Sequence, residues 1–211
     1  RRLAHEIKNP LTPIQLSAER LQHKLAGKLG QDDAAMLNRS TETIVAQVAA
    51  LKGMVNDFSE YARSTRMTPA RVDLNQLISQ VLSLYEPMGP TVRAELAQDL
   101  PPVKGDIAML RQVLHNLLQN AVDALSGVAN PTVIVRTALT PAGVRLTVSD
   151  NGSGFSESLL SRVFEPYVTT KPKGTGLGLA IVKKIIDEHH GRIQIMNLSP
   201  QGANVSIVLP L

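Results

Sequence analysis

The chain has 211 residues, 43% of them apolar, which is enough for a core and points to one or two domains. It has no cysteine, so disulfides, thiolate metal sites and cysteine nucleophiles are excluded. The net charge of +4 is scattered rather than gathered into a stripe, and aromatic residues make up only 3%, so no nucleic-acid partner is expected.

The first third predicts two long helices. Leu3, Ile7, Leu11, Ile14, Ala18, Leu21 and Leu25 recur at steps of three and four, the spacing of one apolar helix face. AGKLGQDD, residues 26–33, breaks that pattern with two glycines and offers Asp32 and Asp33 as caps for the next helix. There Leu37, Thr41, Ile44, Val48, Leu51, Val55, Phe58 and Ala62 alternate steps of four and three, a heptad seam. An antiparallel hairpin leaves much of this surface wet, whereas two hairpins in a four-helix bundle bury it, so a homodimer is expected.

RMTPARVD, residues 66–73, reads as a linker. Beyond it, residues 74–85 are helix-like, residues 91–97 alternate like a strand, and Asp106 stands as the N-cap of a helix running to Leu125. Residues 132–139 and 144–150 alternate around the turn TPAG. Residues 177–191 form a helix ending at a glycine, followed by a hairpin around SPQG. This order predicts an α+β sandwich, one antiparallel sheet with helices on one face.

Two glycine-rich loops and a pair of asparagines carry the chemistry. DNGSGF, residues 150–155, follows a strand, and GTGLGLAIV, residues 174–182, leads into a helix whose free N–H groups suit phosphate. Neither loop fits a dinucleotide fold or a P-loop, and either one alone reads as a turn. In LHNLLQNAVDAL, Asn116 and Asn120 are four apart and share a helix face. Their side-chain carbonyls are hard oxygen ligands that suit Mg²⁺ carried by a nucleotide, or else members of a buried hydrogen-bond network.

HEIKNPL at residues 5–11, the asparagine helix at 114–124, DNGSGF at 150–155, FEPY at 164–167 and GTGLGLA at 174–180 occur in one order. That series resembles the sensor histidine kinases of two-component signalling over essentially the whole chain. The wording is most similar to nitrogen-regulation kinases of the NtrY type, with the NtrB type next. The resemblance implies an all-α hairpin for dimerisation and histidine phosphotransfer at residues 1–66, a linker at 67–72, and a Bergerat-fold (GHKL) ATP-binding domain at 73–211. It implies ATP and Mg²⁺ as ligands, autophosphorylation on His5 and transfer to an aspartate of a response regulator, with regulator phosphatase activity besides. Glu6 would be the acid–base partner of His5, and Asn9 would hold the hydrolytic water. Asn120 would ligate Mg²⁺ with Asn116 beside it, and Asp150 would accept from the adenine amino group. Gly152 and Gly154 would shape the adenine side, Gly174, Gly176 and Gly178 the phosphate side, and residues 156–173 a mobile lid. Lys171 and Lys173 are further candidates, since a triphosphate calls for nearby cations.

His5 and Asn9 lie one turn apart on one face, and Glu6 about 100° further round. If Glu6 accepts from one ring nitrogen, the other is left nucleophilic. Pro10 and Pro13 remove helical donors, each costing on the order of 3 kcal/mol, and so predict a bend just after His5. His23, His115, His189 and His190 have no such setting and read as surface or helix-end residues. Where many family members carry a lysine and an aromatic, this chain has Asp123 and Ala124, and Asp123 is expected to point away from phosphate. Because His5 stands so near the start, more helix and a sensor region, with membrane anchoring, are expected before it. The core itself is expected to be cytoplasmic. Two rival readings are an ATP-gated conformational protein of the same ATPase group and a silent dimeric scaffold.

Overall fold

The structure, a computed structural model, describes residues 2–61, 67–85, 91–171 and 174–211, with residues 2–6, 8, 60 and 91 described by backbone alone. Two compact units are formed by Arg1–Ser64 with Thr170–Thr175, and by Thr65–Thr169 with Gly176–Leu211.

The first unit is built on a helical hairpin. Helix α1 spans Arg2–Leu25 and is helical through both Pro10 and Pro13. Helix α2 spans Gln31–Tyr61. Asp32 and Asp33 are not caps: they lie inside the first turn of α2, where their charge favours the positive end of the helix dipole. Leu11 and Ala18 of α1 are buried with Thr41 and Val48 of α2. Lys52 Nζ donates to Gln15 Oε1 at 2.8 Å and Gln22 Nε2 to Asn38 Oδ1 at 3.3 Å, which fixes the antiparallel register. The predicted seam therefore divides: Thr41 and Val48 face inward. Ile44, Leu51 and Phe58 of α2, with Ile7, Ile14 and Leu21 of α1, are 40–52% exposed.

The second unit is a two-layer sandwich. Strand β1 (Ala70–Val72) pairs antiparallel with β3 (Val103–Gly105). Residues 70–72, expected as linker, are thus part of the unit, because Val72 and Val103 are both buried. Helix α3 (Leu74–Leu82) is capped by Asp73, which accepts from Gln76 N at 3.0 Å. Strand β2 (Thr91–Glu95), helix α4 (Ile107–Ala124), strands β4 (Thr132–Thr140) and β5 (Gly143–Asp150) follow. Then come helices α5 (Glu157–Leu160) and α6 (Gly178–Glu188) and the hairpin β6 (Arg192–Asn197) and β7 (Ala203–Leu209). The sheet order is β2-β4-β5-β7-β6. It is not wholly antiparallel: β2 and β4 run parallel, since the connection through β3 and α4 is long enough for a crossover.

One face of the sheet carries Val133, Val135, Leu146, Val148, Val205 and Ile207, all buried. Against it lie α4, through Leu110, Val113, Leu114 and Leu117, and α6, through Ile181, Val182 and Ile185. Each such side chain contributes about 1.5–3 kcal/mol by leaving water. The Asp106 carboxylate caps α4, Oδ1 accepting from Ala108 N at 2.9 Å and Met109 N at 3.2 Å. At the same end of the layer His189 is buried, not on the surface. Its Nδ1 donates to Ile185 O at 2.7 Å and its Nε2 accepts from Asp106 N at 3.0 Å. The end of α6 is thereby tied to the start of α4.

Candidate functional site

Asn116 and Asn120, one turn apart on α4, both face the start of α6. A Cβ placed on Gly178 would lie 3.8 Å from Asn116 Oδ1 and 3.8 Å from Asn120 Nδ2. Gly178 is the first residue of α6, and Leu177 before it provides no side-chain cap. The leading N–H groups and the positive dipole end of an eleven-residue helix therefore adjoin two amide side chains. Asn116 Nδ2 is buried with no hydrogen-bond partner, the one such side-chain atom among the described residues. An unpaired buried donor costs about 1–3 kcal/mol, and an anionic oxygen would satisfy it.

The first glycine loop closes over the other end of α4. Asp150 ends β5, and its Oδ1 accepts from Gly152 N at 2.8 Å. A Cβ on Gly152 would meet Ala124 O at 2.5 Å and Ala124 Cβ at 2.8 Å, so the loop rests directly on the last turn of α4. A small residue at 124 permits that approach. Asp123 is exposed and accepts from Gln119 Nε2 at 2.7 Å along the helix surface. Its charge, after burial, helps push the Tyr85 hydroxyl above the ordinary phenol range. The second loop is pinned at its base. Gly176 has φ +68°, a Cβ there would meet Tyr167 C at 2.6 Å, and Tyr167 N donates to Gly176 O at 3.0 Å. That closure brings the end of FEPY against the glycine turn that opens α6.

Asn116, Asn120, Asp150, Gly152, Gly154, Gly176 and Gly178 all lie in the second unit, on α4, the end of β5 and the start of α6. Lys171 and Gly174 belong to the Thr170–Thr175 segment grouped with the first unit, and Lys173 lies outside the described residues. His5 and Glu6 are on α1, with their side chains outside the described residues, and Asn9, one turn on, is exposed. Sequence reading missed the contact of Tyr85 with α4. Its hydroxyl is 3.3 Å from His115 Nδ1 and its ring centroid 5.9 Å from that imidazole, next to Asn116 in the chain. Burial, and secondarily Arg111, hold the His115 imidazole below its ordinary range. The signal available was a histidine beside the first asparagine of an otherwise apolar helix.

The donor set fits a nucleotide carrying a divalent cation. Neutral amide oxygens suit a hard cation, and helix N–H groups with Asn116 Nδ2 suit phosphate oxygens. Among the described residues no three His, Cys, Asp or Glu side chains cluster as metal ligands, so a cation would depend on the phosphates as well.

Known proteins are similar to this chain in sequence and fold. Residues 1–66 match the His Kinase A (phospho-acceptor) domain, and residues 105–211 match the histidine kinase-, DNA gyrase B- and HSP90-like ATPase family. The chain is 40% identical to nitrogen regulation protein NtrY of Azorhizobium caulinodans, over all of its own length and 28% of that protein. It is 31% identical to the signal transduction histidine-protein kinase AtoS of Escherichia coli, over 99% of its length and 34% of that protein. It therefore spans roughly a third of these relatives, between 28% and 34%. Among solved structures, full-length ShkA in complex with AMPPNP superposes with a TM-score of 0.76 at 28% identity, over 99% of this chain and 44% of that one. Histidine kinase ThkA in complex with response regulator protein TrrA gives 0.70 at 28% identity, over 99% of this chain and 60% of that one. With a phosphoacceptor domain followed by an ATPase domain of this kind, the chain belongs to the sensor histidine kinases.

Proposed function

We propose that this chain is the kinase core of a sensor protein, taking the γ-phosphoryl group of ATP onto His5 and passing it to an aspartate of a response regulator. The observation that carries the reading is the unpaired Nδ2 of Asn116, whose Oδ1 lies with Asn120 against the start of α6, a start with no side-chain cap. Bound there, ATP would supply the phosphoryl group and Mg²⁺ would offset its charge. Asn120 holds the cation through its side-chain oxygen, and Asn116 donates to a phosphate oxygen. Gly174, Gly176 and Gly178 let the backbone approach the phosphates, with Lys171 and Lys173 as counter-charges. Asp150 accepts from the base amino group, and Gly152 and Gly154 give the base loop its turn. On α1, Glu6 orients the His5 imidazole and takes its proton. The free ring nitrogen forms the N–P bond as the bond to the nucleoside diphosphate oxygen breaks. Asn9 positions water when the regulator is dephosphorylated.

The AMPPNP and response-regulator complexes of the related structures support both ligands. The exposed apolar rows of α1 and α2 support a homodimer joined through residues 1–66, with the second unit, which includes β1 at Ala70–Val72, as the nucleotide domain. The likeness to nitrogen regulation protein NtrY supports a role in nitrogen regulation. In this reading the core lies on the cytoplasmic side of a membrane-anchored sensor. No helix among the described residues is long and apolar enough to cross a membrane.

The test is incubation with [γ-³²P]ATP and Mg²⁺. An acid-labile, alkali-stable label is expected, absent from His5→Gln and reduced at least a hundredfold in Asn120→Ala. Nucleotide binding without label on the unaltered chain would overturn phosphotransfer and leave an ATP-gated or silent protein.

A further inference from the structure

Residues 151–155 leave the end of β5 without entering a helix or strand. Their backbone groups need partners from elsewhere, and the loop must still hold one shape if Asp150 is to meet a base edge. Asn151 N donates to Thr132 O and Gly152 N to Asp150 Oδ1, while the partners of Asn151 O and of both Phe155 backbone groups come from the end of β6 and the β6–β7 turn. Asn197, the last residue of β6, places its side-chain amide across Phe155: Phe155 N donates to Asn197 Oδ1 at 2.8 Å, and Asn197 Nδ2 donates to Phe155 O at 2.6 Å. One side chain thus completes both backbone groups of one residue, as a neighbouring strand would.

The same turn backs the rest of the loop. Gly154 has φ +68°, and a Cβ there would lie 2.8 Å from Asn197 Oδ1 and 3.0 Å from Gly202 O. Gln201 Nε2 donates to Asn151 O at 3.1 Å. Gly202 has φ +113°, and a Cβ there would come within 2.1 Å of Asp150 O. The turn is closed on itself by Leu198 N donating to Gly202 O at 2.9 Å. Gly154 is therefore glycine partly because Asn197 occupies the space its side chain would take.

We propose that Asn197 is a positioning residue for the nucleotide base, holding the Asp150–Phe155 loop in its binding shape from the β6–β7 turn. This rests on the reading that the loop receives the base. Asn carries a donor and an acceptor at the reach required; Asp offers only acceptors, and Ala offers neither.

The experiment compares Asn197→Ala and Asn197→Asp with the unaltered chain, using ADP titration by calorimetry, melting temperature, and phosphorylation rate against ATP concentration. Asn197→Ala is expected to weaken ADP binding about tenfold, from the loss of two hydrogen bonds that order the loop. Asn197→Asp should fall between. KM for ATP should rise while the rate at saturating ATP and the melting temperature stay near those of the unaltered chain. Gly154→Ala should weaken ADP binding less in an Asn197→Gly background than alone, because the obstructing amide is gone. Unchanged ADP affinity in Asn197→Ala would overturn the proposal. So would affinity losses in both variants that track equal losses of melting temperature, or Gly154 and Asn197 effects that simply add. Absence of ADP binding to the unaltered chain would instead remove the nucleotide reading itself, and this inference with it.

Discussion

Asn116 concentrates the tension between folding and function in one atom. Its Nδ2 is buried without a partner, which costs the folded chain about 1–3 kcal/mol, and under the proposed function a ligand oxygen would remove that cost. Leucine has the same branched heavy-atom skeleton, though bulkier, and no donor to satisfy. Asn116→Leu is accordingly expected to raise the melting temperature of the nucleotide-free protein by a few degrees, on the order of 1 kcal/mol. The same change should weaken ADP binding at least tenfold. Melting curves with and without saturating ADP check both halves: the unaltered protein should gain more from ADP than the variant. If the variant melts lower in both conditions, the unpaired amide is packing rather than a ligand site. Asn116 and Asn120 stood out in the sequence because an apolar helix has little use for two asparagines on one face. His189 did not stand out, since HHG at a helix end is an ordinary surface pattern. Its burial depends on Gly105, where a Cβ would meet the ring at 2.8 Å, and no local signal links residues so far apart in the chain.

At the scale of elements, α4 is the axis of the site, and Asp106 sets where it begins. Oδ1 accepts from the first turn of the helix, and Oδ2 accepts from Thr68 N at 3.0 Å. Burial alone would raise the carboxyl pKa, but the three backbone donors and His189 outweigh it and hold it below the ordinary carboxylate range. A depressed folded pKa means the contribution is complete above the ordinary carboxylate pKa and is lost as pH falls through the folded value. Asp106→Asn keeps a capping oxygen but cannot serve Thr68 and the helix equally. It should cost about 1 kcal/mol at pH 7, and the gap should close as pH falls below about 4. Urea unfolding at the two pH values measures this, and a gap that persists in acid would mean the ionised carboxyl is not what matters. The cap was legible because Asp before an apolar 3.6-residue period is a local signal. The long helices and the alternating β4, β5, β6 and β7 were legible for the same reason. Strands β1 and β3, three residues each, are too short to show a period, and α5, at four residues, is shorter than any pattern that would announce it. The parallel pairing of β2 with β4 and the clamp of Asn197 on Phe155 are choices of partner. Partner choice is made by the folded sheet, not by the neighbouring residues.

For the whole molecule, the decisive surface is the part of the hairpin its own chain does not cover. Ile7, Ile14 and Leu21 repeat every seven residues on α1, and Ile44, Leu51 and Phe58 every seven on α2. All six are exposed, while Leu11, Ala18, Thr41 and Val48 are buried between the helices. Two rows at heptad spacing match a second pair of helices at the shallow crossing of a four-helix bundle. A single hairpin would expose both rows to water, whereas a two-fold partner presents the same rows in return. The seam read from sequence could not divide itself into an inner and an outer half, because every position in it is apolar or small. The structure makes that division, and the test follows from it. Leu51→Glu should weaken the dimer at least a hundredfold, since it would place a carboxylate in an apolar seam. Sedimentation should show monomer at concentrations where the unaltered chain is dimeric. Helical content should be retained, because residue 51 takes no part in the buried stripe between α1 and α2. Val48→Glu, on that stripe, should instead melt the hairpin. A Leu51→Glu protein that remained dimeric would place the interface elsewhere. A Leu51→Glu monomer that still labelled His5 at the normal rate would show that phosphorylation runs within one subunit; a monomer that regained label only when mixed with intact chains would show that it runs between them.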